Sequence, residues 1–204
     1  MSTTMGFTVA LVSKPDADMI LEIARYNGAL KFGEFELSSG GKSTYYFDGR
    51  LVTLNPKGAY YVAKAFLPLL RDAKADAIAG PAVGADPIVA SVALMSYIDG
   101  QPISGLIVRS EAKGHGEKRL IEGPMIEGAR VAVVDDSCST GTSLFHAITA
   151  VEAAGCRVTR VMCILDRHMG GSDEIKRRGY DFVSLLDADA AGHITTANYK
   201  SGSV

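Results

Sequence analysis

Cysteine is scarce in this chain of 204 residues: Cys138, Cys156 and Cys163 are an odd set without framework spacing. That count excludes a disulfide scaffold, makes a structural zinc site an unsuitable reading, and implies free thiols in a reducing compartment. Neither sign of charge is in excess. A net charge of −2 and a pI near 6.1 argue against a nucleic-acid surface. Long apolar runs are also missing, so nothing in the sequence reaches bilayer length, and residues 1–10 carry no signal-peptide pattern. Together these absences predict a soluble cytoplasmic protein with neither membrane nor nucleic acid as partner. The length suits one good core, hence a single compact domain with an appended flap.

What is present alternates. Ser13-Lys14-Pro15-Asp16 reads as a helix start, with Ala17, Ile20 and Ala24 at helical spacing and Gly28 as the stop. Residues 30–54 are rich in glycine, serine and aromatics and predict a hairpin turning at Gly40-Gly41. Asn55-Pro56 caps a helix carrying Ala59, Val62, Ala63, Phe66 and Leu70 on one face. Beyond it, strands are expected from Ala77 and over 103–108, 130–134, 158–165 and 182–185, with helices over 87–97 and 144–154, the last closed by Gly155. Such alternation predicts an α/β fold with a parallel sheet and right-handed crossovers. The division drawn from it is 1–54 as N-terminal helix and hood, and 55–204 as the α/β core.

The most informative stretch is Val131-Ala132-Val133-Val134-Asp135-Asp136-Ser137-Cys138-Ser139-Thr140-Gly141-Thr142-Ser143. A buried strand ends in two carboxylates and a loop of small hydroxyl residues that opens a helix. A loop so placed lies at the carboxyl edge of the sheet, where ligands bind. Small residues let backbone N–H groups converge on a phosphate at a helix N-terminus. The carboxylates would repel that phosphate, so they suit sugar hydroxyls and an accompanying cation. An ordinary helix cap needs one carboxylate, not two.

Three further stretches are positioned for chemistry. Residues 109–119 hold Arg109, Lys113, His115, Lys118 and Arg119 with two glycines and no apolar periodicity. They read as a mobile loop leaving the same sheet edge, rich in the donors a diphosphate needs. Gly80-Pro81-Ala82-Val83-Gly84-Ala85-Asp86-Pro87 joins a strand to a helix N-terminus, a second place for an anion. Ile164-Leu165-Asp166-Arg167 ends a strand with a guanidinium beside the small-residue loop, suited to a planar carboxylate. Gly41-Lys42-Ser43 invites a nucleotide-loop reading that fails, because position 36 is glutamate and no helix follows. His146, His168 and His193 read as packing or surface residues, and Cys138 as a small loop residue whose place near a helix start could lower its pKa.

The stretch 131–143 resembles the phosphoribosyl-diphosphate (PRPP) signature of type I phosphoribosyltransferases, with Ser137 and Cys138 where two apolar residues are usual. Arg109-Ser110-Glu111-Ala112-Lys113-Gly114-His115-Gly116 resembles the catalytic loop of orotate phosphoribosyltransferases, with Ser110 in place of a second lysine. Residues 30–48 resemble the hood of those enzymes, and residues 80–87 their pyrophosphate loop. Ser38 and Gly84 stand where many members carry lysine. The resemblance implies the type I phosphoribosyltransferase fold, a parallel sheet flanked by helices with a small N-terminal hood. It implies that Asp135, Asp136, Ser139, Thr140, Gly141, Thr142 and Ser143 bind PRPP together with Arg109, Lys113 and His115, and that Lys113, Arg109, His115 and Asp136 are the catalytic set. Arg167, Ser139, Tyr46, Phe47 and Lys42 are the implied orotate contacts. Mg²⁺ is implied as cofactor, held mainly by PRPP and not by a dedicated protein site. A homodimer is implied, with loop 109–116 reaching the neighbouring active site. Two alternatives stay open at this point: a phosphoribosyltransferase for another base, and a non-catalytic PRPP-sensing regulator.

Overall fold

A computed structural model of the chain describes residues 14–36, 42–111, 120–189 and 191–197. Helix α1 (Lys14–Tyr26) ends at Gly28, whose φ of 67° suits a left-handed stop. An antiparallel pair follows, β1 (Leu30–Glu36) and β2 (Lys42–Phe47), within the glycine-, serine- and aromatic-rich segment expected to form a hairpin. The expected turn at Gly40-Gly41 lies outside the described residues. After a single turn of helix, α2 (Arg50–Thr53), comes α3 (Pro56–Asp72), whose N-cap Asn55 accepts the Gly58 N–H at 3.1 Å.

The sheet proper then builds as β3 (Ala77–Pro81), α4 (Asp86–Ile98), β4 (Ser104–Val108), β5 (Ile121–Glu122) and β6 (Arg130–Cys138). It continues through α5 (Thr142–Ala153), β7 (Arg157–Asp166), α6 (Gly171–Arg177), β8 (Phe182–Ala188) and β9 (Ile194–Thr196). Its strand order is β5-β4-β3-β6-β7-β8-β9. The five central strands are parallel, while β5 and β9 pair antiparallel at the two edges. The expected parallel α/β sheet is therefore present, with edge strands that periodicity did not reveal because each is two or three residues long.

Both faces of the sheet are covered, and strand alternation assigns side chains to them. Val131 and Val133 of β6 join Val161 and Cys163 of β7 under α5, and Ala132 and Val134 join Met162 and Ile164 under α3 and α4. No helix among the described residues is long and apolar enough to cross a membrane.

Two boundaries differ from the expectation in a way that matters for the site. Strand β6 runs on past Val134 through the acidic pair to Cys138, because Asp135, Ser137 and Cys138 remain paired with β7. The carboxylates thus sit on a rigid strand, not on a loop. Helix α5 begins two residues early, at Thr142, so the small-residue turn contracts to Ser139, Thr140 and Gly141.

Candidate functional site

Where β6, β7 and β3 end, a cleft of about 890 Å³ opens. Asp135, Asp136, Ser137, Ser139, Thr140, Gly141, Thr142 and Ser143 line one side of it. Arg167, Tyr46, Phe47 and Glu36 line another, and Pro81, Ala82, Ser110 and His146 complete it. Five stretches far apart in sequence thus converge on one hollow, at the sheet edge where open α/β folds bind ligands.

The turn is shaped by glycine. Gly141, with φ 79°, is the residue before α5, and a Cβ there would stand 3.1 Å from the Phe145 ring and 3.3 Å from the Gly171 backbone. Gly171 in turn leaves no room, since a Cβ on it would lie 2.5 Å from the Gly141 nitrogen. The turn is therefore wedged between α5 and α6, with the first N–H groups of α5 left without intrahelical acceptors. Thr140 and Thr142 hydroxyls lie 3.0 Å apart on its rim. Backbone and hydroxyls thus form a cradle whose donors suit an anion.

Asp135 is 5 % exposed and accepts the Ser143 hydroxyl at 2.6 Å and the Asp136 N–H at 2.8 Å. Burial, reinforced by the neighbouring Asp136 charge, pushes its pKa well above the usual carboxylate range. Burial raises Asp136 as well, with the Ser137 hydroxyl acting in the opposite direction. Two glycines make this crowding possible. A Cβ on Gly49 would fall 2.6 Å from the Asp136 Cβ, and one on Gly84 would fall 3.1 Å from an Asp135 oxygen. The loop before α4, which contains a cis Ala82–Val83 peptide, thus brings its backbone against the acidic pair. Gly84 gives that contact, and any side chain there would require the Asp135 carboxylate to give by a few tenths of an ångström.

Arg167 emerges at the end of β7, its N–H bonded to the Cys138 carbonyl at 2.9 Å, so it stands beside the cradle as the sequence suggests. Behind it, the His168 ring nitrogens lie 3.4 Å from Asp166 and 3.4 Å from Asp187. His168 therefore sits between the carboxylates at the ends of β7 and β8. Among the described residues, two groups of side chains could hold a cation. One is the acidic pair, which opens into the cleft. The other is Asp166, His168 and Asp187, whose ligating atoms lie within 4.8 Å of one another, although both His168 nitrogens already face carboxylates.

Other expected residues fall differently. Tyr46 is partly exposed at the cleft and stacks near Phe35, ring centroids 5.7 Å apart. Phe47, its neighbour on the pleat, is buried with the core and also lines the cleft. Arg109 is not on the wall. Its guanidinium lies 3.7 Å from Glu122 and donates to the Glu111 carbonyl at 3.3 Å. Lys113, His115, Gly116 and Ser38 lie outside the described residues, as does the Lys42 side chain. Cys138 is buried in β6 and its thiol is pushed up to about 12 by burial, so the lowered pKa that its position suggested is absent.

His146 has a place at the site that its sequence position alone does not suggest. It lines the cleft, and its Nε2 meets the Arg109 carbonyl at 2.8 Å, linking α5 to the root of loop 109–116. The signal was available as spacing: His146 lies four residues after Thr142, one helical turn above the cradle.

Known proteins resemble this chain in sequence and in fold. The family model of the phosphoribosyl transferase domain matches residues 52–192. The orotate phosphoribosyltransferase of a Nostoc species is 44% identical over 159 residues, 78% of this chain and 77% of that protein. That of Aquifex aeolicus is 42% identical over 152 residues, 74% and 83% of the two chains. Among solved structures, the Mycobacterium tuberculosis orotate phosphoribosyltransferase with Fe(III) dicitrate superposes with a TM-score of 0.74 at 34% identity, covering 85% of this chain and 97% of that one. The same enzyme in complex with PRPP gives a TM-score of 0.70 at 30% identity, covering 85% and 96%.

Proposed function

The chain belongs to the phosphoribosyl transferase family, among its orotate phosphoribosyltransferases, and from that premise we propose how its cleft moves the 5-phosphoribosyl group of PRPP to orotate, releasing pyrophosphate and orotidine 5′-monophosphate. The observation that carries this reading is the meeting in one cleft of an anion cradle, a buried acidic pair and an arginine. Ser139 to Ser143 take the 5′-phosphate on backbone N–H groups and hydroxyls. Asp135 and Asp136 accept the ribose hydroxyls; their raised pKa values mark negative charge that burial leaves uncompensated until a ligand donates to it. Arg167 pairs with the orotate carboxylate, and Tyr46, Phe47, Ser139 and Lys42 flank the ring.

Bond breaking at C1′ generates oxocarbenium character as pyrophosphate departs. The protein's contribution is to hold the base in line and to neutralise departing charge. Lys113, Arg109 and His115 supply positive charge from loop 109–116, with the Arg109 carbonyl held by His146. Gly84 and its neighbours add backbone donors. The donor set also fits Mg²⁺, because two carboxylates side by side suit a hard cation. When bound, Mg²⁺ supplies positive charge to the diphosphate, held mainly by PRPP oxygens with Asp135 and Asp136 nearby.

Residues 1–54 then act as helix and hood over a core of 55–204, in the cytoplasm. The working molecule is a homodimer in which loop 109–116 serves the partner's cleft. Leu94, Tyr97 and Ile98, exposed together on one face of α4, support a surface covered by protein. The test of function is direct. Incubated with PRPP and Mg²⁺, the protein should convert orotate and leave uracil and adenine nearly untouched; preference for either of the other bases would overturn the orotate assignment.

A further inference from the structure

Arg167 is not a free arm. Its Nε donates to the Tyr45 hydroxyl at 3.2 Å, its Nη2 donates to the Ser43 hydroxyl at 2.9 Å and to the Tyr45 carbonyl at 3.3 Å, and its guanidinium carbon lies 4.6 Å from the Tyr45 ring centroid. One edge of the fork is thus spent on strand β2. Nη1 donates to none of the described residues and remains available to a ligand.

The partners of that edge are themselves fixed. The Ser43 hydroxyl donates to the Tyr45 carbonyl at 2.6 Å and accepts the Tyr45 N–H at 3.3 Å, closing a small knot in β2. Tyr45 is 5 % exposed. From the other end of the chain, the turn between β8 and β9 presses on its ring. Gly192 has φ 85°, and a Cβ there would stand 2.8 Å from Tyr45 Cδ1 and 3.3 Å from the Thr44 hydroxyl. Only glycine gives the turn both the conformation and the clearance. Three distant segments, β2, the end of β7 and the last turn, therefore set the direction of one guanidinium.

We propose that Ser43 and Tyr45, with the Gly192 turn as their backing, are positioning residues that pre-orient Arg167 for the carboxylate of orotate. The proposal rests on the assignment of Arg167 to the base. An arginine that is free to rotate must be ordered when it binds, and fixing it beforehand removes that cost from the binding step. Because these contacts lie on the base side of the cleft and not on the acidic pair or the cradle, they should affect orotate and leave PRPP alone. A contrary reading exists in the same geometry: if Ser43 and Tyr45 compete with the carboxylate for the fork, removing them should tighten orotate binding.

Steady-state kinetics separate these cases. Tyr45→Phe keeps the ring and removes one acceptor, and Ser43→Ala removes another. Each should raise KM for orotate about three- to tenfold, the effect of one lost hydrogen bond, with KM for PRPP changed less than about twofold. Arg167→Ala is the control for the underlying assignment. If it leaves KM and kcat for orotate unchanged, the base-site reading is what fails. If it impairs orotate use, Tyr45→Phe added to Arg167→Ala should produce no further rise, because a positioning residue has nothing left to position. With Arg167 so confirmed, an unmoved or lowered KM for orotate in both single variants, an equal rise in both KM values, or a full additive effect in the double variant overturns the proposal. Should Tyr45→Phe not fold, Ser43→Ala and its double with Arg167→Ala separate the same outcomes.

Discussion

At Asp135 the fold works against itself. Burial and the adjacent Asp136 raise its pKa, so the folded protein holds a proton over a pH range in which the unfolded chain has lost it. With more protons bound to the native state, stability falls as pH rises from the ordinary carboxylate range through the raised value. The ligand-free protein should therefore have a melting temperature that declines as pH increases above about 4 to 5, the unperturbed region for Asp. Asp135→Asn should flatten that decline and raise the melting temperature near neutral pH by about 2–4 °C, as about 1 kcal/mol does in a protein of this size. It should at the same time reduce kcat/KM for PRPP by about a hundredfold or more, the loss of roughly 3 kcal/mol of differential binding. Calorimetry across pH together with kinetics checks both halves. A pH-independent melting temperature in the unmutated protein would show that the pair is already neutralised. Asp136→Asn, in contrast, should weaken PRPP binding and turnover together without simply shifting the pH–rate profile, because orotate arrives as an anion and needs no base.

Elements differ in how openly the sequence declares them. Helix α3 and strand β6 are legible because each carries a full period: Ala59, Val62, Ala63 and Phe66 at helical spacing, and a run of β-branched residues. The acidic pair and the glycine after it are legible as chemistry. Helix α6 is not, since its seven residues, Gly171–Arg177, contain one core residue, Ile175, and are otherwise polar. Strands β5 and β9 are too short for any alternation to show. Phe47 lies on the opposite side of the pleat from Tyr46, as adjacent residues of any strand do, so it is buried in the core while still lining the cleft. His146 escapes a sequence reading because a lone histidine on an apolar helix is usually packing. Its contact with the Arg109 carbonyl joins residues 37 positions apart and shows only in the fold. For that element, His146→Ala should lower kcat about fivefold, the loss of one hydrogen bond, while the melting temperature moves little. Gly141→Ala should do more, because it adds a left-handed strain to a close contact with Phe145, and should cost about 1 kcal/mol or more in stability as well as affinity for PRPP. Denaturant melts and PRPP titration of the two variants distinguish a loop anchor from a turn that must be glycine.

At the scale of the molecule, the sheet acts as a jig. Its parallel strands deliver the acidic pair, the cradle and Arg167 to one edge, while β2 holds the Arg167 guanidinium and the Gly192 turn lies against Tyr45 of β2. The proposed dimer would add a second level. If loop 109–116 serves the partner's cleft, Lys113→Ala and Asp136→Asn proteins, each nearly inactive, should complement on mixing. Random exchange within a twofold dimer makes half of the dimers mixed, each with one intact site, so activity should return to about one quarter of the unmutated level. No recovery despite demonstrated exchange would place the loop over its own cleft. The central claim, however, is that this cleft selects its base by pairing Arg167 with a carboxylate, and the ratio of kcat/KM for orotate to that for uracil, compared between the unmutated protein and Arg167→Ala, reads it most directly. The account predicts a large ratio that collapses on substitution, with orotate losing about 2–5 kcal/mol of transition-state binding and uracil little; a ratio that survives the loss of Arg167 would contradict it.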